Sequence, residues 1–308
     1  MASAGPSPHA PAVTALLYAF GSALCWAGLD AARKVLVERT GAVVPLVVGL
    51  TLAQAPVFAV WAVFDGTFFT SAGYLAPGVG ALLLNVLANV AFVRAVQLSP
   101  LSVTVPLLSL TPVFTGLLAI PLLGEWPARW QWVGIALVVV GAFALHVSRE
   151  TRSLRDLWRS FLEEKGSKWM AAVALLWSLT GPLDKLALRH ASVPAHALVQ
   201  TAGVGVLLLV ALLLRGRLGR LRRLRGSGRH LALAATLAVG ALGLQLHAFA
   251  LLLVALVETL KRAVGMTLSV VFGRLFFGES VTAPKIVAIV LMAGGTALLT
   301  LPGSWLGL

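Results

Sequence analysis

Charged side chains are scarce in this chain, and their scarcity excludes most soluble folds. Only 11% of the 308 residues are charged and 59% are hydrophobic, whereas a soluble domain has roughly a quarter of its residues charged. Cysteine is scarcer still, because Cys25 is the only one, and this excludes an intramolecular disulfide framework or a multi-cysteine metal site. The composition therefore predicts a multi-pass membrane protein.

Motifs for covalent chemistry and for cofactors are also missing. The sequence contains no phosphate-binding GxxxxGK[ST] loop, no HExxH pair and no nucleophile elbow. We therefore expect neither an ATP-driven pump nor an enzyme, and no cofactor or metal. The net charge of +13 would suggest nucleic acid as a partner of a soluble chain. Here the basic residues lie in short segments between apolar runs, which favours the lipid bilayer surface over nucleic acid.

Ten apolar runs fill most of the chain, each of about 18–24 residues, the length at which a helix crosses roughly 30 Å of hydrocarbon. They lie near 14–32, 43–64, 74–97, 101–123, 130–147, 169–188, 195–214, 231–253, 258–277 and 284–301. The loops between them are short and leave no room for a soluble domain of useful size. The sequence predicts an all-α integral membrane protein with ten transmembrane helices.

A repeat organises these runs. LSPLSVTVPLLSLTPVFTGLLAIPLLGE (98–125) and LLVALVETLKRAVGMTLSVVFGRLFFGE (252–279) both end in Gly-Glu, 154 residues apart. The same offset relates further pairs at matching places in their runs: Gly141 with Gly295, and Asp30 with Asp184. It divides the spans into five and five. Because five is odd, the second half enters the membrane from the opposite side, which predicts two inverted five-helix repeats.

The domain organisation follows from this division. We expect a disordered tail and a first repeat, then a basic linker loop, a second repeat and a short C-terminal tail: 1–13, 14–147, 148–168, 169–301 and 302–308. Lysine and arginine are concentrated in 148–168 and 215–230, after the first span and at Lys285, all on one side of a ten-span chain. The positive-inside rule then places both termini outside the cytoplasm, in a cytoplasmic (inner) membrane.

The two Gly-Glu segments, with GIALVVVGAFAL (134–145) and IVLMAGGTALL (289–299) after them, resemble the drug/metabolite transporter superfamily, EamA type with ten spans. The resemblance implies secondary transport of a small metabolite or drug-like solute by alternating access, with proton coupling as one option. It leaves the substrate, the direction, the coupling ion and the oligomeric state open, a monomer included. Many members have both ends in the cytoplasm, and the charge pattern of this chain departs from that.

Polar side chains inside apolar runs are the candidates for a substrate or coupling site, because a charge in hydrocarbon costs about 2.5–3.5 kcal/mol. The densest group is Glu258, Lys261 and Arg262, at the start of the ninth span and on one helical face. The two cations are candidates for binding an anionic substrate group, and Glu258 for proton coupling. The alternative is a structural ion-pair cluster at the membrane interface.

Seven further residues complete the candidate set: Asp30, Asp184, Asn85, Asn89, Trp26, Trp177 and Gln245. We expect Asp30 to pair with Arg33 or Lys34, and Asp184 with Lys185 or Arg189. Such pairs either fix helix ends or act as gates, one breaking as the other forms. The asparagines either line a cavity or bond a neighbouring helix, and the indoles form an aromatic wall or serve packing and anchoring. Glu125 and Glu279 are expected to accept backbone N–H bonds in the turns after their spans.

A lipid or lipid-linked-sugar flippase is the alternative to a solute transporter. Its basic cytoplasmic side would gather anionic headgroups. The five-plus-five repeat and the duplicated Gly-Glu segment favour the solute transporter.

Overall fold

The computed structural model describes residues 10–99, 105–144, 165–277 and 283–300. These residues form ten α-helices: α1 (Ala10–Thr40), α2 (Val43–Asp65), α3 (Leu75–Leu98), α4 (Thr111–Leu123), α5 (Arg129–Ala144), α6 (Lys165–Leu188), α7 (Val193–Leu214), α8 (Gly228–Leu251), α9 (Val254–Phe277) and α10 (Ala283–Thr300). Three short 3₁₀-helices accompany them: Ala72–Tyr74, Val105–Leu110 and Leu218–Leu224.

Six helices are long and apolar enough to cross a membrane, namely α1, α2, α3, α6, α7 and α8. The apolar helices α4, α5 and α10 are shorter, and α9 has 24 residues but carries the charged group around Lys261. Large apolar side chains such as Phe64 and Leu214 point out of the bundle, where lipid suits them and water does not. The prediction of an all-helical, multi-pass membrane protein is confirmed. Ten crossings and an inverted repeat stay predictions.

The end of the first span is a correction. The apolar run was predicted to end near residue 32, but α1 continues to Thr40. Charged residues interrupt an apolar run, but a helix continues through them when their side chains find hydrogen-bond partners. Arg33 and Lys34 both have such partners on α3.

The fourth and ninth spans also differ from their predicted bounds. In the fourth, residues 100–104 lie outside the described residues, and Val105–Leu110 is a 3₁₀-helix before α4 begins at Thr111. Prolines in this stretch remove backbone donors and favour a helix start, as Pro112 does in the first turn of α4. In the ninth, α9 begins at Val254, so Glu258 lies one turn inside the helix and not at its start.

Helices of the two halves pack in a reciprocal pattern. α1 lies along α8, as α3 lies along α6, and α1 contacts α9, as α4 contacts α6. α2 packs on α8 and α3 on α7, while α2 also packs on α7 and α5 on α10. Exchanging each helix with the one five places along converts every contact into another of the set or, for α2–α7 and α5–α10, into itself. Two structurally related halves predict this reciprocity.

The α5–α10 contact shows the reciprocity at the level of single residues. A Cβ atom built on Gly134 would lie 2.7 Å from the carbonyl oxygen of Gly295, and one on Gly141 would lie 2.8 Å from that of Ala288. The offset of 154 converts Gly134 into Ala288 and Gly141 into Gly295, so each contact is the counterpart of the other. The higher-numbered residue of α5 contacts the lower-numbered residue of α10. The two helices therefore run antiparallel.

The two ends of the bundle differ. At the bridge end, the α2–α3 and α6–α7 loops pair through an isolated β-bridge between Phe69 and Ala191. At the arginine end, the connection 215–227 joins α7 to α8, and its 3₁₀-helix packs against α2, where Leu224 lies over Gly49. The basic residues of this connection are exposed.

Candidate functional site

A buried charged cluster on α9 forms the centre of the candidate site. Glu258 accepts a hydrogen bond from the Lys261 ammonium at 2.6 Å, and a guanidinium nitrogen of Arg262 lies 3.8 Å from its other oxygen. Lys261 also donates to the side-chain oxygen of Gln245 on α8 at 3.0 Å. Glu258 and Arg262 are only 2% and 7% exposed. The predicted sharing of one helical face is confirmed.

Both predicted tryptophans lie against these cations. The Lys261 ammonium is 5.3 Å from the ring of Trp26 on α1, and the Arg262 guanidinium is 5.9 Å from the ring of Trp177 on α6. These distances suit cation–π attraction, which is stronger when the cation is desolvated. Each half of the chain therefore contributes one indole to the cluster.

Asp30 pairs with Arg33, as predicted, at 3.5 Å. Arg33 is buried, lies 5.5 Å from the Trp26 ring and donates to the side-chain oxygen of Asn89 at 3.3 Å. Lys34 faces elsewhere, because it bonds the Val96 carbonyl oxygen at 2.9 Å and pairs with an exposed glutamate one turn along α1.

The two asparagines on α3 continue a polar line across the bundle. Asn89 donates to the backbone oxygen of Asn85 at 2.9 Å, and Asn85 donates to the side-chain oxygen of Gln200 on α7 at 3.2 Å. Gln200 in turn donates to the Gly78 carbonyl oxygen. Both asparagines therefore bond a neighbouring helix, which is one of the two roles expected of them.

The predicted partners of Asp184 were wrong. Its carboxylate bonds Nε2 of His196 on α7 at 3.1 Å, and Nδ1 of that imidazole lies 3.0 Å from the hydroxyl of Tyr74. Neighbouring residues on a helix do not face each other, so Lys185 points away from Asp184. Arg189 lies beyond the end of α6 and is exposed.

Lys185 instead joins the two halves of the chain at the bridge end. Its ammonium forms an ion pair with Glu125, in the α4–α5 loop, and donates to the Leu252 carbonyl oxygen at 2.7 Å. The second oxygen of Glu125 accepts the backbone N–H of Val254, the first residue of α9, at 3.0 Å. Glu125 thus accepts a backbone N–H as expected, but from the other half and not from its own turn. Glu279 lies outside the described residues.

Three polar atoms of the cluster have no hydrogen-bond partner among the described residues. They are Oε2 of Glu258, Nε of Arg262 and Nε1 of Trp26. Buried polar atoms are almost always satisfied by protein or by water, and two of these three atoms, on Arg262 and Trp26, are donors. The part of the chain that the structure describes holds no group of histidine, cysteine, aspartate and glutamate suited to a metal ion.

Sequence reasoning missed His196, Tyr74 and Gln200. A single polar residue near the start of an apolar run gives no periodic signal, and the partners are far apart in sequence. One signal was available. Asp184 ends one span and His196 begins the next, so a short loop must bring them to the same end of the bundle.

The comparisons with known proteins agree with this architecture. A solved structure described as "Crystal structure of protein" matches with a TM-score of 0.68, covering 96% of this chain and 99% of its own, at 18% sequence identity; this likeness concerns the fold alone. No curated protein matches the sequence. The family model described as "EamA-like transporter family" matches residues 13–146 and 164–301. The chain belongs to the EamA-like transporter family.

Proposed function

We propose that this protein is a secondary transporter, not an enzyme, and that it moves a small metabolite or drug-like solute with an anionic group across the cytoplasmic membrane by alternating access. Membership of the EamA-like family supports transport. The class of substrate rests on the buried cluster.

One observation carries the proposal: a desolvated charged site assembled from both halves of the chain. Lys261 and Arg262 lie between the two indoles, and Arg33 adds a third cation beside Trp26. Asp30 and Glu258 supply two carboxylates, so cations exceed anions around the indoles. Ionisable groups inside membrane segments are costly and mark functional sites by default. An anionic solute would balance the excess of cations and accept hydrogen bonds from the unsatisfied N–H groups of Arg262 and Trp26.

Alternating access is supported by the relation between the halves. Reciprocal packing and the antiparallel α5–α10 contact fit two inverted repeats, with which transporters build two alternating states around a central site. At the bridge end, the ion pair between Glu125 and Lys185 spans the halves. We propose that it holds this end closed and breaks when the end opens. We therefore assign to Glu125 and Lys185 the gating role that the sequence suggested for a pair formed by Asp184.

Solute flux into liposomes tests the proposal. The purified protein is reconstituted, and a panel of anionic, zwitterionic and neutral solutes is offered at two pH values. We expect flux of an anionic solute, lowered about tenfold or more by Lys261→Met, because a hydrogen bond to a charged group is worth about 1.5–3 kcal/mol.

Lys168→Met is the matched control, since this lysine is exposed in the first turn of α6, and flux should stay unchanged. Lipid scrambling without any solute flux would overturn the proposal in favour of the flippase. Equal flux in Lys261→Met and the unaltered protein would show that the cluster does not bind the substrate.

A further inference from the structure

Asp184, His196 and Tyr74 form a hydrogen-bonded chain that the proposed transport site does not use. The His196 imidazole is fully buried, and Asp184 and Tyr74 are each 5% exposed. Three elements supply the chain, because Asp184 lies on α6, His196 in the first turn of α7 and Tyr74 in the 3₁₀-helix before α3. A histidine inside a membrane bundle, bonded at both nitrogens, is a group that can hold and release a proton.

The hydrogen bonds define where such a proton binds. An ionised carboxylate only accepts hydrogen bonds, so Nε2 of the neutral imidazole donates to Asp184 and Nδ1 accepts from the Tyr74 hydroxyl. Adding a proton at Nδ1 makes the imidazole a donor at both nitrogens, and the Tyr74 oxygen then becomes the acceptor. The pair changes from one net negative charge to neutrality, and no other group changes its charge.

Exposed polar groups lie near the Tyr74 end of the chain. Tyr74 immediately follows Gly73, whose position packs against the ring of His190. The hydroxyl of Ser71 lies 2.8 Å from Nδ1 of His190, and this bond is exposed. Proton donors thus lie near the Tyr74 end of the chain, and Asp184 forms its inner end.

The charged groups that face the pair come from α9. The start of α9 packs beside this part of α6, because Lys185, next to Asp184, bonds the Leu252 carbonyl oxygen just before α9. Two turns earlier on α6, the Trp177 ring lies 5.9 Å from the Arg262 guanidinium of α9. Of the other elements packed around α6 and α7, α2 carries the exposed Asp65 and α3 the exposed Arg94, α7 contributes the neutral Gln200, and α4 carries no titratable residue. His247 of α8 is turned away, stacked 5.6 Å from the Trp61 ring.

We propose that Asp184 and His196 bind an exchangeable proton whose occupancy is coupled to the charge state of the Lys261 site. With the proton absent, the negative charge of the pair disfavours an anion at the Lys261 site. With the proton bound, that repulsion is lost. Coupling between two sites is reciprocal, so an anion at Lys261 favours proton binding. The proton site itself does not depend on the proposed function. Only the consequence that a proton and an anionic solute cross together rests on it.

Nuclear magnetic resonance of the full chain in lipid nanodiscs tests the proton site without knowledge of the substrate. The six histidines are labelled with ¹⁵N, and His196→Gln assigns the resonance. Spectra are recorded between about pH 5 and pH 9, and we expect the Asp184–His196 pair to gain its proton within this range. Lys261→Met should raise the pH at half-protonation, because a repelling cation is removed, and Glu258→Gln should lower it. Lys34→Met, on the far side of α1, should leave it unchanged.

A His196 that keeps one protonation state across this range would overturn the inference, as would a midpoint insensitive to both Lys261→Met and Glu258→Gln. If Lys261→Met does not fold, Glu258→Gln carries the test with the opposite sign. Sulfate, which does not titrate in this range, then probes the anion site, and we expect it to raise the midpoint as Lys261→Met does. A midpoint that moves in the variants but not with sulfate would support the proton site and count against the anionic substrate.

Discussion

Glu125 occupies a position that helix electrostatics disfavours. It follows the C-terminus of α4, where the helix dipole repels a carboxylate, just after Gly124, whose φ of 70° ends the helix. Its bonds explain the choice, because both of its oxygens reach the other half of the chain. The Glu125 carboxylate destabilises the end of its own helix, and its contacts with the other half of the chain offset that cost.

Removing the charge of Glu125 should therefore favour opening of the bridge end. In Glu125→Gln the Lys185 ammonium, only 18% exposed, loses its anionic partner. An unsatisfied buried group costs about 1–3 kcal/mol, or roughly 5–150-fold in the balance of two states. With spin labels at Trp126→Cys and Arg189→Cys in a Cys25→Ser background, we expect pulsed electron resonance to show an added population at longer distance.

Glu38→Gln is the matched control for this experiment. Glu38 also pairs with a lysine, but it is 60% exposed and its partner lies on the same helix, so the pair contributes little. The distance distribution should not change. Identical distributions in Glu125→Gln and the unaltered protein would show that the ion pair does not hold the end closed.

Some side-chain contacts could be predicted from the sequence and others could not. The α9 cluster could be predicted, because spacings of three and four on a helix bring side chains together whatever the tertiary fold. The partner of Asp184 could not be predicted, because it depends on which face of α6 lies against α7. Lys185, the next residue, offered an equally suitable opposite charge. Local geometry is fixed by the chain, whereas the choice between competing partners is fixed by packing.

At the scale of elements, the close approach of α5 and α10 depends on glycine. Gly134→Ala would place a methyl group 2.7 Å from the Gly295 carbonyl oxygen, and backbone cannot move aside as a side chain can. Overpacking of this kind costs about 1–3 kcal/mol, so we expect a lower midpoint of thermal unfolding in detergent. Gly295→Ala should behave alike, because it meets the Gly134 oxygen at 2.6 Å.

The neighbouring Gly294 provides the control, since a Cβ there meets nothing within 4 Å. Gly294→Ala should leave the midpoint unchanged or raise it slightly, because alanine favours a helix more than glycine does. If all three variants unfold alike, α5 and α10 do not pack through these glycines.

Helix positions were predicted well because membrane helices are read from the length of apolar runs. The errors fall where polarity and helix structure separate. α1 runs past Arg33 because that side chain finds Asp30 and Asn89 inside the bundle. The stretch before α4 is apolar, yet it includes a 3₁₀-helix because its prolines cannot donate. Hydropathy reports the surroundings of a side chain and not the hydrogen bonding of its backbone.

For the whole molecule, the charge of the arginine end predicts the orientation in the membrane. The exposed arginines of 215–227 and the basic last turns of α1 lie at the end opposite the β-bridge. Short basic connections are retained in the cytoplasm. We therefore expect the bridge end, with Glu125 and Lys185, to face outward, and a proton bound by the Asp184–His196 pair to enter from the outer side.

Reporter fusions test this orientation directly. A reporter that is active only in the cytoplasm should be active when fused after Gly226, within the arginine end, and silent when fused after Leu308. A reporter active only outside the cytoplasm should give the opposite pattern at both positions. Activity of the cytoplasmic reporter after Leu308 with silence after Gly226 would invert the molecule, and protons would then enter the Asp184–His196 pair from the cytoplasm. The fusions thus decide from which side a proton gradient would drive an anion through the site.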